Sequence, residues 1–322
     1  MTTKILEVAS KDQTSQGRVH DTTSSFSNRA RGFAAGVASG ITKLVVGHPF
    51  DTIKVRLQTS GAADGRFAGP LDCFKSTLRQ EGVRGLYKGA TPPLVGWMFM
   101  DSIMLGTLHN TRMLLQQYNG PDRPLSIFQH GLAGLAGGLT VSFLATPVEQ
   151  IKARLQVQYA DGKKLYTGPI HCAKTLIHNN GFFRGLWKGL VPTMLFRSWF
   201  FVFWSSYEVY GRELRKRGYS DSAVSFIAGG VCANTFWLGG FPFDVVKNRI
   251  MTQPDVKPPR FPTMRSCAEF VYRTEGLKGF YRGFLPCFLR AFPTNASAIL
   301  AFETVMKLLG DNHKVEAEPF ED

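Results

Sequence analysis

Acidic side chains are few in this chain: 24 Asp and Glu stand against 38 Lys and Arg, a formal net charge of +14 over 322 residues. Such an imbalance points to anionic partners, whether nucleic acid, lipid headgroups or acidic metabolites. Nucleic acid is the weakest of the three, because the basic residues sit at the ends of apolar segments and no nucleic-acid module accompanies them. Cysteine is scarce too, and its five copies show no Cys-x-x-Cys spacing, which excludes a thiolate zinc site and a disulfide framework. Cys73, Cys172 and Cys267 stand 24, 25 and 25 residues after a proline, and burial as small apolar side chains accounts for them better than redox sensing. His48, His130, His171 and His178 fall at no ligand spacing, and neither a nucleophile–base pair nor a phosphate-binding glycine loop emerges. An enzyme is therefore disfavoured, and no metal or cofactor is expected. The N-terminal stretch lacks the apolar core of a secretory signal, while Glu7, Asp12 and Asp21 argue against a cleaved Arg-rich presequence; targeting is expected to be internal. Residues 1–28, rich in Ser, Thr, Gln and charge, read as a disordered tail.

Repetition is what the chain has in quantity. Pro49-Phe-Asp51-Thr-Ile-Lys54, Pro147-Val-Glu149-Gln-Ile-Lys152 and Pro242-Phe-Asp244-Val-Val-Lys247 each close a run of small and apolar residues; 98 residues separate Pro49 from Pro147, and 95 separate Pro147 from Pro242. A second element keeps step: Glu81-Gly82 to Tyr87-Lys88-Gly89, Asn180-Gly181 to Trp187-Lys188-Gly189, and Glu275-Gly276 to Tyr281-Arg282-Gly283. Two markers on one period make the chain one unit written three times. The expected division is a tail at 1–28, repeats at 29–119, 120–218 and 219–310, and an acidic tail at 311–322.

Mean hydropathy is near zero, yet segments long enough to cross a bilayer exist, since about 20 helical residues suffice. Leu125 to Val148 and Ser222 to Phe243 contain no Asp, Glu, Lys or Arg. Four further segments, 29–58, 90–116, 190–213 and 284–309, carry Lys43, Asp101, Arg197 and Arg290 respectively. An ionisable group in a span faces protein or a water-filled cavity, so six helices with polar inner faces are expected to surround one. Gly36/Gly40, Gly134/Gly138 and Gly229/Ala233, each four apart, are expected to let helices approach closely. The proline in each odd helix should bend it. Acid and lysine three apart share a helix face, so three such helices around an axis would form a ring of pairs.

At these residues the sequence closely resembles the mitochondrial carrier family of metabolite transporters, over residues 29–310. The resemblance implies an all-α membrane protein of six transmembrane helices in three pseudo-threefold repeats, each with a short helix on the matrix side. It implies transport by alternating access between a matrix and a cytoplasmic salt-bridge network, in the mitochondrial inner membrane or, alternatively, the peroxisomal membrane. It assigns Asp51, Lys54, Glu149, Lys152, Asp244 and Lys247 to the matrix gate, and Arg112, Glu208, Glu303 and Lys307 to the cytoplasmic one. The latter is poorly kept: His109 stands where an acid is expected, and Arg212 and Lys307 follow their acids by four residues instead of three. A weak outer gate predicts a transporter that does not rest long closed to the cytoplasm. The elements ending in Gly89, Gly189 and Gly283 resemble cardiolipin sites, where unpaired N–H groups at helix N-termini favour a phosphate. Asn180 departs from the family pattern, since an acid is usual there. The partners implied are a small-molecule metabolite and cardiolipin, with no nucleic acid and a monomeric carrier.

Counting seven residues beyond each of those glycines, the resemblance places substrate contacts at Gly96, at Phe196 with Arg197 next, and at Arg290. The stretches Gly47 to Thr59 and Leu289 to Ala296 look most like carnitine/acylcarnitine and ornithine or basic amino-acid carriers. Those relatives have an acid after the arginine of the fourth helix, where this chain has Ser198. Asp101, the mid-span carboxylate, is a candidate replacement: Arg197 and Arg290 would take a substrate carboxylate and Asp101 an ammonium group, as suits a zwitterionic amino acid or carnitine. The other reading, in which Asp101 neutralises an arginine or Lys43, stays open, as do carboxylate or nucleotide substrates and a non-transporting scaffold or ion-leak pathway. The aromatic run from Trp199 to Trp204 is expected to pack between helices or against lipid rather than to line an acyl pocket.

Overall fold

A computed structural model describes residues 34–60, 66–120, 123–159, 165–256 and 258–309, and every regular element among them is a helix. In order these are α1 (34–60), α2 (Pro70–Leu86), α3 (Thr91–Asn119), α4 (Ile127–Gln156), α5 (Pro169–Asn180), α6 (Phe182–Leu186), α7 (Leu190–Ser198), α8 (Phe200–Lys216), α9 (Asp221–Thr252), α10 (Met264–Gly279) and α11 (Phe284–Leu308). The expected 1–28 and 311–322 tails lie outside the described residues. The described chain divides into two units, His48–Leu289 and a smaller one joining the chain up to Gly47 with the chain from Arg290.

The three prolines lie inside α1, α4 and α9, and the helices continue through them. A proline in a helix frees the carbonyl four residues before it. In α4 that carbonyl, Phe143 O, accepts from Trp187 Nε1 at 2.8 Å; in α9 the corresponding Leu238 O accepts from Tyr281 Oη at 2.9 Å. The aromatic of the repeated Trp/Tyr-basic-Gly element thus satisfies the group that the repeated proline orphans, which couples the two sequence markers physically. Gly82, Gly181 and Gly276, the second residues of the repeated acid/Asn-Gly pairs, have φ of +65°, +80° and +63°. Each breaks or ends a short helix in a conformation that side-chain-bearing residues avoid. Ser126 with Gln129 and Thr263 with Ser266 form capping boxes that start α4 and α10.

In the larger unit, the core is built three times over from equivalent parts. Ile53, Leu57, Phe67 and Leu86 surround Cys73; Leu155, Tyr166, Leu176 and Leu186 surround Cys172; Val246, Ile250 and Phe261 surround Cys267. All three thiols are fully buried, and loss of solvent pushes them up to about 12, about 11 and about 12. Reactivity belongs to the thiolate, so native protein at pH 7 should leave these three unlabelled by a maleimide, and denaturation should expose them. Peptide mapping checks this; rapid native labelling at any of the three would contradict it.

One expectation is corrected in part, and two gain detail. The fourth segment is two helices, α7 and α8, that meet at Trp199, whose backbone stays in the right-handed helical region and whose carbonyl accepts from Phe203 N at 3.0 Å; beside it the Ser198 hydroxyl bonds back to Leu195 O at 2.7 Å. Of the glycine pairs, Gly134 and Gly138 do pack closely, where an added Cβ would lie 2.6 Å from Phe200 O and 2.5 Å from Arg197 O. At Gly36, Gly40 and Gly229, however, it would meet no described atom within 4 Å. Among the described residues, Ile127–Gln156 is the helix apolar enough along its length to read as a spanning helix by composition alone. Glycine, serine and threonine on inner faces lower the average where one side alone is apolar.

Candidate functional site

All six members of the expected matrix gate lie in the larger unit, and they form a closed ring. Lys152 Nζ donates to Asp51 Oδ2 at 2.6 Å, joining α4 to α1. Lys247 Nζ donates to Glu149 Oε2 at 2.9 Å, joining α9 to α4, and Lys54 Nζ lies 2.8 Å from Asp244 Oδ2, joining α1 to α9. Lys247 also reaches Asp244 Oδ1 within its own helix at 2.9 Å. Asp51, Lys54, Asp244 and Lys247 are all buried. Buried ions cost several kcal/mol each unless paired, which a ring satisfies by giving every charge an opposite neighbour. Gln58 Nε2 adds a bond to Asp244 at 2.9 Å. Aromatic faces cover the lysines: Lys54 is 4.4 Å from the Trp237 ring and Lys247 4.7 Å from Phe196.

A second ring lies two residues further along each helix. Arg56 Nε donates to Gln156 O at 2.9 Å, Arg154 Nε to Met251 O at 2.9 Å, and Arg249 Nε to Gln58 O at 2.8 Å, so each arginine holds the end of the next repeat's helix. Sequence reasoning missed these arginines, although 98 residues separate Arg56 from Arg154 and 95 separate Arg154 from Arg249, the same period as the prolines. Arg56 then pairs with Glu81 at 2.8 Å and Arg249 with Glu275 at 2.6 Å. Burial works against the Glu81 carboxylate, but hydrogen bonds and charge from Arg56 and Lys88 outweigh it and hold the group below the usual range.

In the second repeat, where Asn180 replaces that acid, Arg154 turns elsewhere. It makes a two-pronged bond to Asp255, in the segment after α9, with both contacts at 2.8 Å, and Lys188 approaches the same carboxylate at 3.6 Å. The third repeat supplies the acid that the second lacks. Asp255→Asn should leave the buried Arg154 guanidinium uncompensated and cost roughly 3 kcal/mol. Adding Asn180→Glu, which restores the arrangement of Glu81 and Glu275, should recover part of it. Thermal unfolding of both variants tests this; an unchanged midpoint for Asp255→Asn would refute it.

Gly89, Gly189 and Gly283 mark close approaches between repeats. An added Cβ would lie 2.8 Å from Lys152 O at Gly89, 2.5 Å from Met251 Cε at Gly189 and 2.9 Å from Lys54 O at Gly283. Two of the three carbonyls or side chains met there belong to ring lysines, so these glycines seat each repeat against the next one's ring-bearing helix.

Arg197, an expected substrate contact, stands at the α7–α8 junction, and its Nη2 donates to Glu149 Oε1 at 2.6 Å. Glu149 is therefore shared by Lys247 and Arg197, while Arg197 Nε is buried with no acceptor among the described residues. Gly96 packs against the same turn of α4, since an added Cβ would lie 3.1 Å from Val148 Cγ1. Asp101 is exposed on α3. Arg290 belongs to the smaller unit, where with Thr294 it packs beside Gly47. The aromatic run packs between helices: Phe200 lies tilted against Phe236 of α9 at 4.8 Å between ring centroids, Phe196 meets the same ring edge-on at 5.3 Å, and Trp199 lies tilted against Phe243 at 6.4 Å.

Of the expected cytoplasmic network, Arg112 and Glu208 lie in the larger unit. Glu208 pairs with Arg212 at 2.7 Å and lies 3.7 Å from His130, whereas Arg112 sits over the Trp204 ring at 4.8 Å with its Nε buried and without an acceptor among the described residues. His130 thus occupies a place beside Glu208 that no sequence pattern indicated. Lys307 belongs to the smaller unit, and the Glu303 side chain lies outside the described residues.

The family profile described as mitochondrial carrier protein matches the chain three times, over residues 26–119, 123–218 and 220–313. Among curated proteins, the chain is 44% identical over 281 residues to mitochondrial substrate carrier family protein L of Dictyostelium discoideum, covering 87% of this chain and 95% of that protein. It is 36% identical over 290 residues to the mitochondrial basic amino acids transporter of Rattus norvegicus, covering 89% and 92%. It is 37% identical over 297 residues to a mitochondrial carnitine/acylcarnitine carrier-like protein of Arabidopsis thaliana, covering 86% and 97%.

Proposed function

The chain belongs to the mitochondrial carrier family, whose members are transporters and not enzymes, and from that premise we propose that it exchanges a small carboxylate-bearing, zwitterionic metabolite across the mitochondrial inner membrane. The cargo is an amino acid or a carnitine type. Six helices span the bilayer as a monomer, with cardiolipin held at the helix N-termini beside the Trp/Tyr-basic-Gly elements. The many exposed apolar side chains, among them Phe128, Phe143, Phe226 and Leu238, support a lipid-facing exterior, and the names of the relatives support the cargo class.

The observation that carries the proposal is Arg197 bound to Glu149 inside the closed ring. With the ring shut, the protein is open to the cytoplasm. An arriving carboxylate finds the unbonded Nε of Arg197 and competes with Glu149 for the guanidinium, as the fork geometry of arginine favours. Glu149 is then held by Lys247 alone, and the ring is weakened only when cargo is present. Arg290 and Asp101 bind the remaining charges, and Gly96 leaves room for the body of the cargo. Opening inward lets Arg112, Glu208, Glu303 and Lys307 close the other side.

Purified protein in liposomes, preloaded in turn with basic and neutral amino acids, carnitine, dicarboxylates and nucleotides, tests the assignment. Uptake of a labelled zwitterion, stimulated by the same class inside, is the expected result. Exchange confined to nucleotides, or a solute-independent ion leak, would overturn it.

A further inference from the structure

Arg197 is held from two sides where small residues let the chain come close. Toward α4 the contact is backbone: a Cβ added at Gly138 would lie 2.5 Å from Arg197 O. Toward α9 it is made by aromatic rings. A Cβ at Gly239 would lie 2.1, 2.2 and 2.7 Å from Cζ3, Cη2 and Cε3 of Trp199, and one at Gly240 would lie 3.3 Å from Cε2 of Phe196. The outer edge of the Trp199 indole thus rests on bare backbone, in a notch that a single methyl group would fill. Three residues before their prolines the other repeats have Val46 and Leu144; glycine stands at that place in the third repeat alone, opposite Trp199. Phe196 and Trp199 are three apart and so share the face turned to α9, while Arg197 between them sends its Nη2 to Glu149 Oε1 at 2.6 Å. The same seat sets the Phe196 ring 4.7 Å from Lys247, the second partner of Glu149.

We propose that Trp199, seated in the notch at Gly239, is the positioning residue for Arg197. The fit of indole to bare backbone fixes the turn that aims the guanidinium at Glu149, and Trp199 acts on transport through that aim. The link to cargo rests on the function proposed above; the seating of Arg197 does not.

Modification of the purified full chain by phenylglyoxal in detergent, followed by peptide mapping, reads the seat without any transported solute. Arg197, 13% exposed and bonded to Glu149, should react slowly beside Arg217, which is 66% exposed. Gly239→Ala drives a methyl group into the indole, which must shift, and modification of Arg197 should speed up several-fold relative to Arg217. Trp199→Phe, with a smaller ring, should loosen the seat by itself, yet in Gly239→Ala/Trp199→Phe the rate should return toward wild type. An unchanged rate in Gly239→Ala, or a double variant that reacts faster than both single ones, would overturn the proposal. Should Gly239→Ala also expose Arg154, which is 5% exposed in the native fold, the fold has opened and Trp199→Phe decides: an unchanged Arg197 rate there would overturn it. In liposomes, uptake of labelled arginine and, separately, of labelled carnitine is compared with and without Arg197→Gln. Misplacing a functional group by about 1 Å can cost ~10²-fold, so Gly239→Ala should slow uptake ~10-fold or more in the wild-type background and add nothing to Arg197→Gln. Equal further loss in both backgrounds would make Trp199 a packing residue only. Uptake of neither solute by wild-type protein would fault the cargo, and the modification rates would still decide the seat.

Discussion

Asp244→Asn should abolish exchange and lower stability by about 3–5 kcal/mol, the cost of leaving buried charge without its partner. Asp244 is the most heavily used acid of the ring: Lys54 and Lys247 approach it at 2.8 and 2.9 Å, Gln58 donates to it at 2.9 Å, and it is 2% exposed. An amide of the same shape would face two ammonium groups with half its surface now a donor. Asp51, which binds Lys152 at 2.6 Å, is 5% exposed and so a little nearer solvent, and Asp51→Asn should be the milder lesion of the two. Melting temperature and uptake measured side by side decide the matter. Equal or smaller loss in Asp244→Asn would show that the ring is not the structural element its geometry indicates. Exchanging the signs of one pair, Asp51→Lys with Lys152→Asp, should restore part of what either change alone removes.

Arg197→Gln should lower the uptake rate by ~10²-fold or more while leaving the fold intact. Removing one partner of a close, hydrogen-bonded charge pair costs about 2–5 kcal/mol, yet here the stranded acid keeps a second partner, since Lys247 remains 2.9 Å from Glu149. The ring therefore survives and melting should change little. What disappears is the group proposed to sense the cargo carboxylate and to transmit its arrival to the ring. Arg197→Lys, which keeps the charge but lacks the fork, should be intermediate. Wild-type uptake by Arg197→Gln would sever the proposed link between cargo and gate, whereas collapse of stability would make Arg197 a structural member of the ring.

The ring was legible in the sequence because acid, lysine and proline recur together, and only a threefold assembly gives buried charges opposite neighbours. The aromatic before each basic-Gly pair was legible as a marker but not as a partner. That Trp187 and Tyr281 reach carbonyls freed by Pro147 and Pro242 depends on how distant segments meet. Arg56, Arg154 and Arg249 carried the same period and were passed over, since a basic residue at the end of an apolar helix has ordinary uses there. Asp255 could not be found that way, because it lies outside the repeated motifs and gains its role only where the third repeat approaches the second.

The borrowed acid at Asp255 also limits how this molecule can be altered by recombination. A chimera taking its middle third from this chain and its last third from a relative without an equivalent carboxylate would inherit an orphaned guanidinium at Arg154, while the reciprocal chimera would carry a surplus anion. Such an incompatibility would be epistatic, since the residue at position 180 and the charge at position 255 act on the same guanidinium.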